Sequence, residues 1–133
     1  MLKSVLVADH MSTRLVTLDP DMDVLSAVHA LVTNVIAGAP VVDEKHRLIG
    51  ILTERDCMRA VMQAQYHDTP GGPVHRYMTK DPQVVSPDES ILQVAQLFIN
   101  GKYHRYPVVK NDRLVGMISR RDVMHAMGKQ HPM

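Results

Sequence analysis

The sequence lacks several features that particular classes of protein require. Its 133 residues include no tryptophan, one phenylalanine and one cysteine, Cys57, so the core must be aliphatic and no internal disulfide can form. A single free thiol agrees with the reducing cytoplasm, where we expect the protein. No apolar run approaches the roughly 18 residues of a membrane span, and the apolar start is too short for a signal peptide. The formal net charge of +1 predicts binding to neither nucleic acid nor membrane.

Recognisable catalytic and metal-binding motifs are also missing. There are eight histidines, but no HExxH, HxH or CxxC pattern, and we expect no metal site. The chain has no serine elbow, P-loop or dinucleotide fingerprint. With 45% apolar and 22% charged residues, its composition is that of a folded globular protein. We therefore expect a folded protein that is not an enzyme.

An internal repeat is what the sequence does contain. Residues 7–61 and 74–127 align with 15 identities in 54 pairs, at an offset of 67 that becomes 66 after a turn. The repeated pieces include M-[ST], P-D, P-V-V, R-L-h-G and R-D, where h is apolar. We predict one repeat over residues 1–65, a Pro- and Gly-rich linker over 66–73 and a second repeat over 74–133.

Periodicity and punctuation predict the same elements in both repeats. Apolar residues at helical spacing indicate a helix from about Val24 to Val35 and another from Ile91 to Ile99. Asp21 or Asp23 is expected to cap the first of these helices, and Ser90 the second. Strands follow at 39–42 and 48–52, then a helix at 54–65, and the second repeat has strands at 105–109 and 114–119 before a helix at 120–127. Short extended pieces at 15–18 and 83–85 precede the first helices, after turns of helix near 5–10 and 74–77.

These elements define the expected fold class. It is α/β (α+β), with two tandem β-α-β-β-α units packed about a pseudo-two-fold axis, because each unit of about 55 residues is too small to bury a good core alone. Cys57 lies among apolar helix residues and is expected in the core. The methionines of the last helix in each unit, Met58, Met62, Met124 and Met127, are most simply core residues too.

The runs 50–56 (GILTERD) and 116–122 (GMISRRD) each place a hydroxyl residue where a strand becomes a helix, with an aspartate three residues later. The structural interpretation is a capping box at Thr53 and Ser119. The functional interpretation uses the same geometry, because helix N–H groups, the hydroxyl and Arg55 or Arg121 can bind a phosphate. The aspartate can then accept hydrogen bonds from a ribose, and both interpretations can hold together.

The segments that lead into the P-V-V strands differ between the repeats. Residues 104–106 are HRY where residues 37–39 are AGA. The basic segment is either a solvated strand end or a phosphate-binding cluster, and the small residues would let a planar base approach the backbone. We therefore expect the side with His104 and Arg105 to prefer phosphorylated ligands, and the other side to tolerate neutral or cationic ones.

Together these repeated motifs resemble a pair of CBS domains, also called a Bateman module, over residues 5–127. The run HRYPVV at 104–109 is similar to the phosphate-contacting strand start in the γ subunit of the AMP-activated kinase. The resemblance implies a stand-alone regulatory protein that binds AMP, ADP, ATP or S-adenosylmethionine in clefts between the two units and signals to a protein partner. It also implies a homodimer formed through helix faces.

The resemblance assigns ligand-binding roles by position. Ribose would be held by the two aspartates and approached by the two hydroxyls, phosphate by basic residues, and the base by backbone at four positions. These candidates are Asp56, Asp122, Thr53 and Ser119; Arg55, Arg121, His104 and Arg105; and Thr17, Ala39, Val84 and Tyr106, with Pro107 beside the last. The alternatives are a ligand-free module for dimerisation or partner docking, and an enzyme that hydrolyses a nucleotide.

Overall fold

The structure, a computed structural model, describes residues 2–67 and 71–131. Four α-helices and five strands lie in these ranges: α1 (Val24–Asn34), β1 (Gly38–Val42), β2 (Leu48–Thr53), α2 (Glu54–His67), β3 (Thr79–Lys80), α3 (Ile91–Asn100), β4 (Arg105–Lys110), β5 (Arg113–Ser119) and α4 (Arg120–Gln130). The predicted order of helix, strand, strand and helix is confirmed in both repeats. The expected turns of helix occur as short 3-10 turns at Val7–Asp9 and Val74–Arg76.

The chain divides into two compact units. The central unit is Val16–Pro82, and the composite unit combines Met1–Leu15 with Gln83–Met133. In the central unit, β2 lies between β1 and β3 in an antiparallel sheet. In the composite unit, β4 and β5 form an antiparallel pair. The mixed α and β class with two tandem repeats is confirmed.

The predicted extended pieces pair with the sheets through single residues. Leu18 makes a parallel bridge to Val41 in the central unit, and Val85 makes the equivalent bridge to Val108 in the composite unit. In each case the bridging residue both donates to and accepts from the strand, as in the bonds from Leu18 N–H to Pro40 O and from Val42 N–H to Leu18 O. These bridges place the residues just before them, Thr17 and Val84, next to β1 and β4.

The segment that opens each repeat packs in the unit formed mainly by the other repeat. Residues 2–15 contribute Val7 to the composite core, and Ser12 exchanges two backbone hydrogen bonds with Met117 of β5. Likewise Val74 lies in the central core, and β3 pairs with β2. The predicted limits of 1–65 and 74–133 stay a prediction about the repeat, because the compact units have other limits.

The predicted linker over residues 66–73 is only partly described, since residues 68–70 lie outside the described residues. Its last part is tied to the central unit. Pro73 bridges to Asp23, and the Val24 N–H donates to the Gly72 carbonyl at 2.8 Å. The cap predicted for α1 is wrong: Asp23 occupies the N-cap position, but its side chain makes no capping hydrogen bond. Ser90, in contrast, caps α3 as predicted, in a reciprocal capping box with Gln93.

The prediction that the methionines of α2 and α4 are core residues is wrong. Cys57 is buried as expected, and it lies with Ala60 on the face of α2 that meets the core. At 3.6 residues per turn, Met58 and Met62 fall on another face, and Met62 is 70% exposed. Met124 is 68% exposed on α4, where Val123 and Ala126 are buried instead. The apolar surface of these helices is therefore wider than the part that the core of each unit covers.

No helix in residues 2–67 and 71–131 combines the length and the apolar character needed to cross a membrane.

Candidate functional site

In the central unit, the strand-to-helix junction is closed by Thr53 and Asp56. The Asp56 N–H donates to Thr53 Oγ1 at 3.2 Å, while both the N–H and the hydroxyl of Thr53 donate to Asp56 Oδ2 at 2.9 Å. Asp56 is buried, with 5% of its surface exposed, and its Oδ1 lies 3.4 Å from Arg59 Nη1. Both carboxylate oxygens of Asp56 therefore already have partners in the unit.

The composite unit repeats this junction at Ser119 and Asp122. The Asp122 N–H donates to Ser119 Oγ at 3.0 Å, and Asp122 Oδ2 accepts from the Ser119 N–H at 2.8 Å. Among the described residues, Oδ1 of Asp122 has no hydrogen-bond partner, because His125 stands where the first repeat has Arg59. The structural interpretation of the repeated motif as a capping box is confirmed at both junctions.

The start of the P-V-V strand lies directly across from each junction. Gly38 of β1 is in register with Thr53 of β2, and Arg105 of β4 is in register with Ser119 of β5. Directly opposed residues of an antiparallel pair point to the same face of the sheet. Arg105 and the Ser119 hydroxyl therefore share a face, whereas the matching position of the central unit has no side chain.

In each unit, one backbone hydrogen bond joins the first residue of the helix to the residue just before the first strand of the pair. The Glu54 N–H donates to the Ala37 carbonyl at 2.9 Å, and the Arg120 N–H donates to the His104 carbonyl at 3.1 Å. Sequence analysis of single motifs did not select Glu54 or Arg120 as candidates. The signal that could have found them was the strand register, which places the first helix residue opposite the residue that precedes the strand.

Basic side chains gather at the junction of the composite unit. His104, Arg105, Arg120 and Arg121 are all exposed, and the guanidinium Nη2 of Arg120 contacts Nδ1 of His104. In the central unit, the corresponding residues are Ala37, Gly38, Glu54 and Arg55. The expected difference in charge between the two strand starts is thus increased by the first residue of each helix, which is an arginine in one unit and a glutamate in the other.

The buried residues of the candidate set contribute backbone to the junctions. Ala39 and Pro107 are buried in β1 and β4. Tyr106 is 1% exposed, and its hydroxyl donates to the Leu97 carbonyl at 3.4 Å. Burial, and secondarily Tyr103, raises the pKa of Tyr106, so this ring is a core group. Of the predicted base-lining positions, Thr17 is half-buried and Val84 is exposed.

Two other candidate chemistries have no support at these junctions. Burial, followed by the charges of Asp56 and Glu54, raises the pKa of the Cys57 thiol, which disfavours the reactive thiolate. In the part of the chain that the structure describes, no group of three or more His, Cys, Asp or Glu side chains is placed to hold a metal ion.

Comparison with known proteins gives the family. The CBS domain family model matches residues 7–63 and again residues 74–129. Protein MJ1225 of Methanocaldococcus jannaschii is 31% identical over 122 residues, which cover 92% of this chain but 42% of that protein. The chain therefore spans less than half the length of this relative.

Solved structures of CBS-pair proteins have the same fold. The chain is similar to CBSX2, a CBS-pair protein of Arabidopsis thaliana, whose complex with AMP matches with a TM-score of 0.84 and 29% identity, over 95% of this chain and 98% of that one. It is also similar to the CBS domain pair of protein MJ0100 in complex with 5′-methylthioadenosine and S-adenosyl-L-methionine, with a TM-score of 0.78 and 26% identity over 95% and 98% of the two chains. The chain belongs to the CBS domain family and carries two CBS motifs.

Proposed function

We propose that the protein is a regulatory module, not an enzyme, that binds an adenosine-containing ligand such as AMP, ADP, ATP or S-adenosylmethionine. The observation that carries this proposal is the repeated junction. In both units a strand start, a capping hydroxyl and an aspartate meet at the beginning of a helix. CBS-pair proteins of the same fold occur in complex with AMP, or with 5′-methylthioadenosine and S-adenosylmethionine.

In this proposal Asp56 and Asp122 hold the ribose while they also cap their helices. A carboxylate can do both, because its two oxygens offer about four acceptor positions. Asp122 is the better placed of the two, since its Oδ1 has no partner among the described residues. At Asp56 a ribose would share Oδ1 with Arg59, whose side chain is 56% exposed and so forms a weak ion pair.

The remaining candidates surround the same junctions. Thr53 and Ser119 adjoin the ribose or phosphate, and Arg55, Arg121, His104 and Arg105 are proposed phosphate ligands. The base would lie against backbone at Thr17 and Ala39 in the central unit, and at Val84, Tyr106 and Pro107 in the composite unit. The bridges of Leu18 and Val85 support this assignment, because they hold Thr17 and Val84 beside β1 and β4.

The alternative from another class is a ligand-free module for dimerisation or docking. It is favoured by the exposed apolar side chains of α2 and α4, which include Met58, Met62 and Met124. The two functions are compatible, and we propose that these faces form a homodimer and that ligand binding is passed to a protein partner. Ligand can change such an assembly only through its different affinity for two states. Light scattering at micromolar concentration should give a mass of twice the 14.9 kDa of one chain. The mass of a single chain throughout the micromolar range would contradict the dimer.

Thermal unfolding with added ligands separates the two functions. AMP, ADP, ATP, S-adenosylmethionine and NAD should be compared at a hundredfold excess over the dissociation constant, where a specific ligand stabilises the fold by about 2.7 kcal/mol. A shift with at least one adenosine compound is expected. No shift with any of them would favour the docking module, and consumption of a nucleotide in the same mixtures would indicate an enzyme. A cytoplasmic location stays a prediction.

A further inference from the structure

We propose that the first residue of the helix at each junction, Arg120 in α4 and Glu54 in α2, selects the charge of the group that the adenosine carries. The junction of the composite unit takes an anionic phosphate, and the junction of the central unit takes an uncharged or cationic substituent. This inference rests on the proposed function, and the experiment below distinguishes the failure of one from the failure of the other.

The two selecting positions are equivalent in the backbone. Each first helix residue donates its N–H to the carbonyl of the residue before the strand, Ala37 in one unit and His104 in the other. Each also directly follows the capping hydroxyl residue, Thr53 or Ser119. Because the backbone geometry is shared, the two junctions differ in their side chains.

Arg120 is held at its junction by His104. Arginine is only a hydrogen-bond donor, and Nη2 of the Arg120 guanidinium contacts Nδ1 of His104. His104 thus acts as a positioning residue, and the other N–H groups of the Arg120 guanidinium remain for an anion. Arg105, on the same face as Ser119, supplies a second guanidinium.

The two junctions differ in formal charge. At positions 104, 105, 120, 121 and 122, three arginines and one aspartate give +2 when His104 is neutral. At the equivalent positions 37, 38, 54, 55 and 56, one arginine, one glutamate and one aspartate give −1, and Arg59, which lies against Asp56 where the second repeat has His125, brings this junction to zero. Charges within about 8 Å of one another are little screened at physiological salt, so a phosphate is attracted more strongly at the junction of the composite unit than at that of the central unit.

The side chains at the strand start of the central unit do not offset the repulsion of a phosphate by Glu54. Ala37 and Gly38 have no side-chain donor groups, and Arg55 is balanced by Glu54 beside it. An adenosine that carries a thioether or a sulfonium group needs no phosphate ligand. Such a substituent would therefore be accepted at this junction, and the sulfonium cation would be favoured by the glutamate.

The test is a pair of charge reversals, measured by calorimetric titration with AMP, adenosine and S-adenosylmethionine. Arg120→Glu should weaken AMP binding by roughly 10- to 100-fold, the effect of a lost charged hydrogen bond, and change adenosine binding by less than about threefold. Glu54→Arg should strengthen AMP binding at the central unit and weaken S-adenosylmethionine binding. Methyl NMR signals of Met58 and Met124, each two residues after a site aspartate, report which unit is occupied.

A matched control is available on the same strand. Arg113 opens β5 at the end away from Ser119 and is exposed, so Arg113→Glu makes the same charge change about 20 Å from the junction. It should change AMP affinity by less than about threefold. His104→Ala should lower AMP affinity but not adenosine affinity, because it frees Arg120.

The outcomes separate the two claims. If the wild-type protein binds no adenosine compound, the proposed function fails, and the charge selection fails with it. If AMP and adenosine bind but Arg120→Glu weakens both equally, or neither, the charge selection is wrong and the proposed function stands. An equal loss of AMP affinity in Arg113→Glu would show that net charge, and not the junction, attracts the phosphate.

Discussion

Asp122 has two separable roles, as a helix cap and as a proposed ribose ligand, and Asp122→Ala should lose both. In the capping box, Asp122 accepts one hydrogen bond from the half-buried Ser119 N–H at 2.8 Å. Without that bond the Ser119 hydroxyl still caps the helix. The loss of that bond and of a negative charge at a helix start should lower the free energy of unfolding by about 1 kcal/mol. The loss of a charged acceptor for ribose hydroxyls should cost about 1.5–3 kcal/mol of binding, a 10- to 150-fold weaker affinity.

Gln93→Ala is the matched control for the cap. Gln93 and Ser90 form the same reciprocal capping box at the start of α3, in the same unit, with Gln93 Oε1 accepting from the Ser90 N–H at 3.0 Å. No candidate site residue lies at that helix start. Gln93→Ala should therefore lower the free energy of unfolding by about 0.5–1 kcal/mol and leave ligand affinity unchanged.

Urea unfolding and calorimetric titration of both variants with AMP give the two quantities. We expect comparable losses of stability in the two variants and a loss of affinity in Asp122→Ala alone. Unchanged AMP affinity in Asp122→Ala, together with the expected loss of stability, would refute the ligand role and leave Asp122 as a cap only.

Three further predictions concern packing and pH. Gly116→Ala should cost about 1–3 kcal/mol of stability, because the added Cβ would lie 2.6 Å from Met11 Sδ and 3.0 Å from the Ser12 carbonyl oxygen. Gly128→Ala, in open space on α4, should instead raise the free energy of unfolding by about 0.5–1 kcal/mol. Chemical denaturation measures both variants, and equal effects would contradict the packing around Gly116. The pKa of Cys57 is raised in the folded protein, so its contribution to stability is complete below the ordinary thiol pKa of about 8.5 and is lost as pH rises through the raised pKa. Cys57→Ala should therefore reduce the loss of stability at alkaline pH. An unchanged loss of stability at alkaline pH in this variant would refute the prediction. Hydrogen bonds from Arg47, first through its backbone N–H, lower the pKa of Asp43. Asp43→Asn should therefore remove a contribution to folding stability that is present above about pH 4 and lost in acid. Identical acid unfolding curves for the variant and the unmodified protein would exclude this contribution.

The local structure was predictable because the repeat supplied every signal twice. The periodicity, the Pro and Gly positions and the hydroxyl–aspartate spacing predicted the strands, the helices and the caps at Ser90, Thr53 and Ser119. These features depend on neighbours within a few residues, and they need no knowledge of tertiary contacts.

Features that depend on contacts distant in sequence were missed. Asp23 makes no side-chain cap although it has the right residue type, and the N–H of Val24, the first residue of α1, donates to the distant Gly72 carbonyl. The exposure of Met62 and Met124 could not be read from hydrophobicity, because the small residues Ala60 and Ala126 face the core. The packing of residues 2–15 with the second repeat likewise depends on Val7 and Ser12 reaching partners that are about 80 to 105 residues away.

The candidate site was predictable as a set of residues but not as an arrangement. The motif positions of Asp56, Asp122 and Arg105 follow from the repeat. Two partners distinguish the junctions, Arg59 at Asp56 and Arg120 at His104. The first depends on the turn of α2, which brings residues three apart together, and the second depends on the register of β4 with β5.

The central claim, that this CBS-domain protein binds adenosine-containing ligands, is tested most directly by calorimetric titration of the unmodified protein with AMP and with adenosine. We expect saturable binding of AMP, competition by adenosine, and loss of most of the affinity in Asp122→Ala. No saturable binding of AMP, adenosine or S-adenosylmethionine at millimolar ligand would contradict it.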